Sequence, residues 1–472
     1  MKRLTKNIKV VISGLALSFV CFSCSEDILD QIDTNPNAPE DVSINLLLPQ
    51  VTMNAVRTVA GNQTLFGVST YVEHSANVRI NPIDPWDVSE SMWSSCYYGL
   101  NDLEFLIGKA ESESNYAYLG IGQILYAFLL SNLTDLYGDV PMSEAVKGSD
   151  FRTPRFDTQE AVYANILSLL DEAIANLDRP SVGNPGNTDM IFKGDLEMWK
   201  KAAYGLKARF HNRLSNHDPE GSANAALAAI PNSYTSISEG FEFDGYQQES
   251  SVYNNPWSAF QNSQELFAVG QTLLDQMEKF SGDLGADPRT DSWFTLVDGK
   301  IVGAPTGANL ADPSHSRYSQ PSRSQVLFNG APQPLLLFDE LKFIEAEAYL
   351  RLQNSQNAFE AFKSGVRAAL EKLSIPADEI DVYLAGPDMP SSADELTLDH
   401  IIGQKYISFW LYQPLEAFND FRRTGIPEMN NPIGTPLRIP YPISEVNRNP
   451  NTPTEINDVT IFTTPVWWAR QN

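Results

Sequence analysis

The sequence predicts a mainly α-helical protein. Helical hairpins form its scaffold, and a large irregular, loop-rich face with a few short β-hairpins is mounted on them. Three observations lead there. Long stretches carry apolar residues at helical spacing. Those stretches come in neighbouring pairs, as hairpins do. Between two sets of pairs lies roughly a hundred residues of Gly- and Pro-rich chain, unusual in a compact protein and often functional.

The chain opens with Lys2, Arg3, Lys6 and Lys9, then an apolar run over residues 10–20 and a small residue, Ser23, before Cys24. This is the layout of a secretory signal ending in a bacterial lipobox, with Cys24 as the lipidated residue. A transmembrane anchor would need about twenty apolar residues. Cys21 is a poorer site because bulky Val20 precedes it. Residues 1–23 are therefore read as a signal peptide and 24–40 as a lipidated acidic tether. Residues 41–472 are read as one domain, with helical scaffold at about 41–230 and 335–425 and a loop-rich insert at about 231–334. After the signal no second long apolar stretch stands out.

Within the first helical part, Ile121, Ile124, Leu125, Phe128, Leu129 and Leu136 make one stripe, ended by Gly138 and Pro141. Asp157 with Glu160 three residues on predicts an N-cap for the next helix. Its stripe is Val162, Tyr163, Ile166, Leu170 and Leu177. A third helix starts near Asp195 and a short alanine-rich one covers residues 222–230. In the last third, residues 335–352 and 358–373 pair through a short turn, with Ala346, Ala348, Ala358 and Ala361 allowing close approach. Such small–large alternation gives a tetratricopeptide-like hairpin, and the two earlier pairs are degenerate copies. Two more helices are expected at about 396–411 and 415–423. In the insert, one helix is expected at about 263–280 and a hairpin turning at Asp298-Gly299.

Removing residues 1–23 takes away four cations and no acids, so the net charge goes from −26 to −30. That argues against nucleic acid, whose phosphates need Lys and Arg. With 42% apolar and 11% aromatic residues the body is globular. Cys96 lacks a partner once Cys24 is lipidated, so no disulfide framework exists. The five histidines are scattered and make no H-E-x-x-H spacing. No nucleophile elbow and no phosphate loop appears, and Gly120-x-Gly122 sits inside a helix. No catalytic residue, metal site or cofactor is indicated, and the sequence does not decide on a structural Ca²⁺.

What the irregular chain offers is aromatic rings outside any helical stripe: Tyr246, Tyr253, Trp257, Trp293, Phe294 and Tyr318, with Trp86 in an earlier Pro-rich stretch. Sugar rings stack their C–H faces on such side chains, and nearby amides and acids bond the hydroxyls. Loops on a rigid frame are a common place for this. The plainer reading is that each ring plugs its own loop onto the scaffold.

The chain resembles the SusD/RagB outer-membrane lipoproteins, in their SusD-like branch. The resemblance rests on Asp33-Thr34-Asn35-Pro36-Asn37-Ala38-Pro39, Leu133-Thr134-Asp135-Leu136-Tyr137-Gly138-Asp139-Val140-Pro141, Leu206-Lys207-Ala208-Arg209 and Asp287-Pro288-Arg289. It continues in Gln404-Lys405-Tyr406, Asp420-Phe421-Arg422-Arg423-Thr424-Gly425 and Pro440-Tyr441-Pro442. It implies a tetratricopeptide-like scaffold on the outer membrane, held by lipid, as a lid over a TonB-dependent SusC-like barrel. It implies capture of glycan oligomers, or in the RagB-like branch peptides, without catalysis. Asp135, Gly138 and Arg422 are expected to hold the scaffold or barrel contact rather than ligand. A surface glycosidase and a purely structural adaptor are the competing readings.

Overall fold

A computed structural model describes residues 42–61, 63–78, 85–264, 267–306 and 315–471. The signal, Cys24 and the tether lie outside the described residues. The chain begins with α1 (Ile44–Ala60), α2 (Gln63–Tyr71), β1 (Ser75–Asn77), α3 (Pro85–Ser112) and α4 (Tyr116–Tyr137). Residues 117–137 of α4 are all buried. It is long and apolar enough to cross a bilayer, yet here protein surrounds it on every side. Apolar residues occur on all its sides, as suits a central core helix, and its few polar ones, such as Gln123 and Asp135, are buried with them.

Around α4 pack α3 and α5 (Gln159–Leu177). The predicted N-cap of α5 is off by one residue. Thr158 accepts from the Ala161 N–H, while Asp157 accepts from the N–H groups of Met142 and Ser143 and so holds the preceding turn. The Gly120 position is explained by packing: a Cβ there would come 2.6 Å from Leu177 Cγ on α5. The stack continues through α6 (Leu196–Arg213), capped by Asp195, and α7 (Pro219–Ala229), capped by Asp218 with Pro219 at its first position. Next against α7 comes α11 (Phe338–Arg351), paired with α12 (Ser355–Glu371). The three predicted hairpins are therefore present as α4/α5, α6/α7 and α11/α12, and one hydrophobic core runs from Ile44 to Ala469.

The insert interrupts this stack. It holds β2 (Gly240–Phe243), α8 (Pro256–Gln264), β3 (Phe267–Val269), α9 (Gln271–Ser281) and α10 (Thr290–Trp293), and returns through β4 (Gln333–Leu337). β2 and β4 pair antiparallel, Gly240 opposite Leu337 and Phe243 opposite Gln333, with a bulge at Phe241/Glu242. Thus residues 335–337, expected to begin a helix, are strand, because β2 offers them a ladder. The single helix expected at 263–280 is also broken. Phe267, Ala268 and Val269 are buried and pair with β1. The turn at Asp298-Gly299 is present, with φ of +50° and +77° and a bridge between Val297 and Lys300. After α12 come α13 (Ala377–Leu384), α14 (Leu398–Ser408), α15 (Pro414–Thr424) and α16 (Ile443–Arg448).

A buried ionic lattice joins these parts. Asp135 on α4 accepts from Tyr163 on α5, from Trp468 Nε1 at 2.9 Å and from Asn419 Nδ2 on α15 at 3.1 Å. Arg213 Nη1 on α6 lies 3.2 Å from the same carboxylate and also pairs with Glu416. Arg209 forks onto Glu340 with two bonds of 2.6 Å. Arg423 and Lys405 share Asp420, each at 2.9 Å, and Arg423 reaches Glu347 on α11. Burial alone would push the Asp420 carboxyl up, but Lys405 and Arg423 together hold it down at about 2. Asp287 and Arg289 form a second buried fork, at 2.8 and 2.6 Å, that also engages Tyr383.

Removing one partner of such a buried pair strands the other charge. Asp135→Asn is expected to cost about 3–5 kcal/mol in urea unfolding. Asp399→Asn, at a half-exposed pair with Lys279, is expected to cost less than about 1 kcal/mol. Equal effects would disprove the role given to the lattice.

His74 supplies a pH signature. It is fully buried, and its Nε2–H donates to the Tyr406 carbonyl at 2.9 Å. Burial pulls its imidazole down to about 3, against a weak upward pull from that bond. An unfolded chain takes up the proton at about 6.5, so stability declines as pH falls from about 6.5 toward 3. His74→Gln should flatten the urea midpoint against pH within that window; an unchanged slope would contradict this.

Candidate functional site

Four of the seven rings are packed away. Trp257 is 3%, Trp293 5%, Phe294 5% and Tyr246 7% exposed. Trp257 meets Phe66 edge-on at 4.6 Å, Tyr246 meets Phe243 at 4.8 Å, and Trp293 and Phe294 both pack on Trp410, at 4.7 and 5.0 Å. These rings plug the insert onto the scaffold, and Trp293 also lines a cavity of about 680 Å³ between insert and scaffold. Tyr318 is partly buried on a small patch of Ala76, Val78, Ala268 and Ala304. Trp86 falls in the first turn of α3 rather than in a loop, and its side chain lies outside the described residues. Tyr253 differs: it is 52% exposed.

Tyr253 sits on a loop that the protein holds firmly. The Gln247 N–H donates to the Tyr253 carbonyl at 2.7 Å. Ser250 Oγ accepts from the Val252 and Tyr253 N–H groups, and Arg57 on α1 donates to the Val252 carbonyl at 2.9 Å. Asn255 then caps α8 by accepting from the Trp257 N–H, while its own Nδ2 donates to the Ala331 carbonyl. Beside this loop is an open depression of about 540 Å³. Its lining residues other than Ala259 are of polar type and include Gln248, Glu249, Ser251, Asn254, Asn262 and Asn329. Several of these amides are fixed by mutual bonds: Asn329 Nδ2 donates to the Gln248 carbonyl, Ser258 Oγ donates to Asn329 Oδ1, and Asn262 Nδ2 donates to Ser258 Oγ. The side chains of Glu249, Ser251 and Asn254 make no bond among the described residues, so they are available to a ligand's hydroxyls.

The depression gathers amides and hydroxyls that suit a hydroxylated ligand bound in the open, and the exposed Tyr253 neighbours its lining residues Ser251 and Asn254 in the chain without lining it. The sequence names the rings and expects amides and acids beside them without singling out which ones. The signal was the run Gln247-Gln248-Glu249-Ser250-Ser251 and the pair Asn254-Asn255 around Tyr253. No group of His, Cys, Asp and Glu side chains among the described residues is arranged to hold a metal.

The motif residues occupy other places. Asp135 and Arg422 are buried in the ionic lattice, where Arg422 lies over the rings of Phe418 and Trp468 at 4.0 and 4.8 Å. Gly138 has φ +81°, and a Cβ there would meet Arg438 Nη2 at 2.9 Å. They serve the scaffold.

Solved structures share this architecture. A SusD/RagB family protein from Bacteroides thetaiotaomicron matches with a TM-score of 0.78 and 26% identity, covering 92% of this chain and 100% of that one. A chitin-binding SusD homologue from Flavobacterium johnsoniae matches with a TM-score of 0.77 and 20% identity, over 90% and 99%. A SusD homologue from Bacteroides fragilis gives 0.76 and 22%, over 92% and 100%. No curated protein sequence matches the chain. The model of a SusD-like family, described as starch-binding and associating with the outer membrane, matches residues 36–442. The chain belongs to that SusD-like family.

Gly205 on α6 faces β4, where a Cβ would meet Leu336 Cδ2 at 2.3 Å, and a Cβ would also meet Ser233 Oγ at 2.7 Å. Gly205→Ala should therefore destabilise the fold by about 1–3 kcal/mol in urea unfolding. A neutral result would show that β4 does not pack tightly on α6.

Proposed function

We propose that this chain is a non-catalytic surface lipoprotein that captures glycan oligomers and delivers them to a TonB-dependent SusC-like barrel. The match to a starch-binding, outer-membrane-associated family over residues 36–442 carries the reading, and the chitin-binding relative supports glycan as cargo. Lipid on Cys24 holds the body at the membrane, because several acyl chains anchor a protein almost permanently. Tyr253 stacks on a sugar ring, while Glu249, Ser251 and Asn254 bond its hydroxyls. An open groove buries little area, so affinity is modest and exchange with a transporter is fast.

A glycan array probed with residues 25–472 should give hits among neutral oligosaccharides. For the best hit, Tyr253→Ala is expected to weaken binding about tenfold, near 1.4 kcal/mol, with an unchanged melting curve. Peptides binding in place of glycans would favour the RagB-like alternative. Shortened oligosaccharides after long incubation would overturn the non-catalytic assignment, and absence of palmitate label on Cys24 would overturn the anchor.

A further inference from the structure

The polar depression is one-sided in charge. Among the described residues, Glu249 is the single ionisable side chain in its lining, and no Lys, Arg or His lines it. Glu249 is exposed, and its carboxylate makes no bond among the described residues. Arg57, the cation that reaches the neighbouring loop, donates to the Val252 carbonyl at 2.9 Å and does not line the depression.

A second contribution of the same sign comes from α8. Asn262 and Ser263 line the depression from the last turn of that helix, which ends at Gln264. The C-terminal end of a helix carries the negative end of its dipole, and the effect is felt within about the last turn. The α8 dipole and the Glu249 charge therefore act together on whatever occupies the depression.

The other polar side chains in the lining are amides and hydroxyls. Each both donates and accepts, so they treat a hydroxyl, an amine and a carboxylate much alike. Glu249 does not. An ionised carboxylate only accepts. A sugar hydroxyl or ammonium can donate to it, whereas a uronate or sulfate oxygen has no proton to give and brings a like charge.

On the reading that this depression holds a glycan, we propose that Glu249 sets the substrate class. Oligosaccharides free of acidic groups are admitted, amino sugars are held more tightly than their neutral counterparts, and uronic or sulfated sugars are turned away. The depression is open, so each preference has the size of an exposed ion pair, about two- to fivefold in Kd. It narrows as salt rises. The acidic body as a whole also repels anions, so substitutions at position 249 must separate the local charge from the general one.

The test is an array of tetrasaccharides in matched triplets: glucose, glucosamine and glucuronate in one linkage, and galactose, galactosamine and galacturonate in another. It is read with residues 25–472 at mildly acid pH, where the amines are charged, and at low and high salt. In each triplet that binds, the amino sugar should lead and the uronate should trail, with both gaps shrinking in high salt. Glu249→Gln should remove the lead of the amino sugar, and Glu249→Lys should reverse the order. The side chain is exposed and unbonded, so melting curves should match the wild type. Equal affinities within a triplet, a uronate that binds first, or gaps unmoved by salt would each overturn the assignment, all in the wild-type protein. An order that survives Glu249→Lys would overturn it too, by tracing the preference to the body's overall charge. Silence from every triplet is a separate result, and overturns the glycan reading on which the assignment rests.

Discussion

The Asp135 carboxylate is the point on which the architecture turns. It is fully enclosed, and groups from α5, α6, α15 and the C-terminal tail converge on it. A buried charge is tolerable only when its partners are in place, so these four segments must arrive together. The neighbouring pairs extend the same demand to α11 and α14 through Glu340, Glu347 and Lys405. Apolar packing supplies most of the stabilisation, but packing alone tolerates alternatives. The lattice selects among them by penalising any arrangement that leaves an arginine or carboxylate unmatched.

This explains why the helical part was legible from the chain. Stripes such as Val162, Tyr163, Ile166 and Leu170 report burial directly through their period, and the hairpins follow from neighbouring stripes. The motif residues were legible in kind, since Asp135 and Arg422 in otherwise apolar helices must be paired or functional. Periodicity failed where strand pairing overrode helix propensity, at Phe267–Val269 and again at Gln333–Leu337. Both depend on partners far away in sequence, β1 and β2. The N-terminal helices α1 to α3 fall within the expected scaffold without being delimited by the sequence, and α3 takes in Pro85 and Trp86 from the Pro-rich stretch.

The candidate site was less legible, for a physical reason. An aromatic residue in aperiodic chain carries no local record of whether its ring faces water. Trp257 and Trp293 are as buried as any core residue, while Tyr253, four positions before Trp257, stands open. The difference is made by Asn255, which turns the chain by capping α8 and bonding residues 329 and 331. The amides that accompany Tyr253 come together from segments some eighty residues apart, as with Gln248 and Asn329.

The ladder between β2 and β4 has a further meaning. Everything from Asp244 to Pro332 departs and returns through one two-stranded doorway, with a second seam where β3 meets β1. Lengthening a loop between fixed ends is cheap, about 0.6 kcal/mol for each doubling. The loop-rich stretch can therefore be remodelled, or swapped as a cassette cut at those two seams, while the helical superstructure keeps its register.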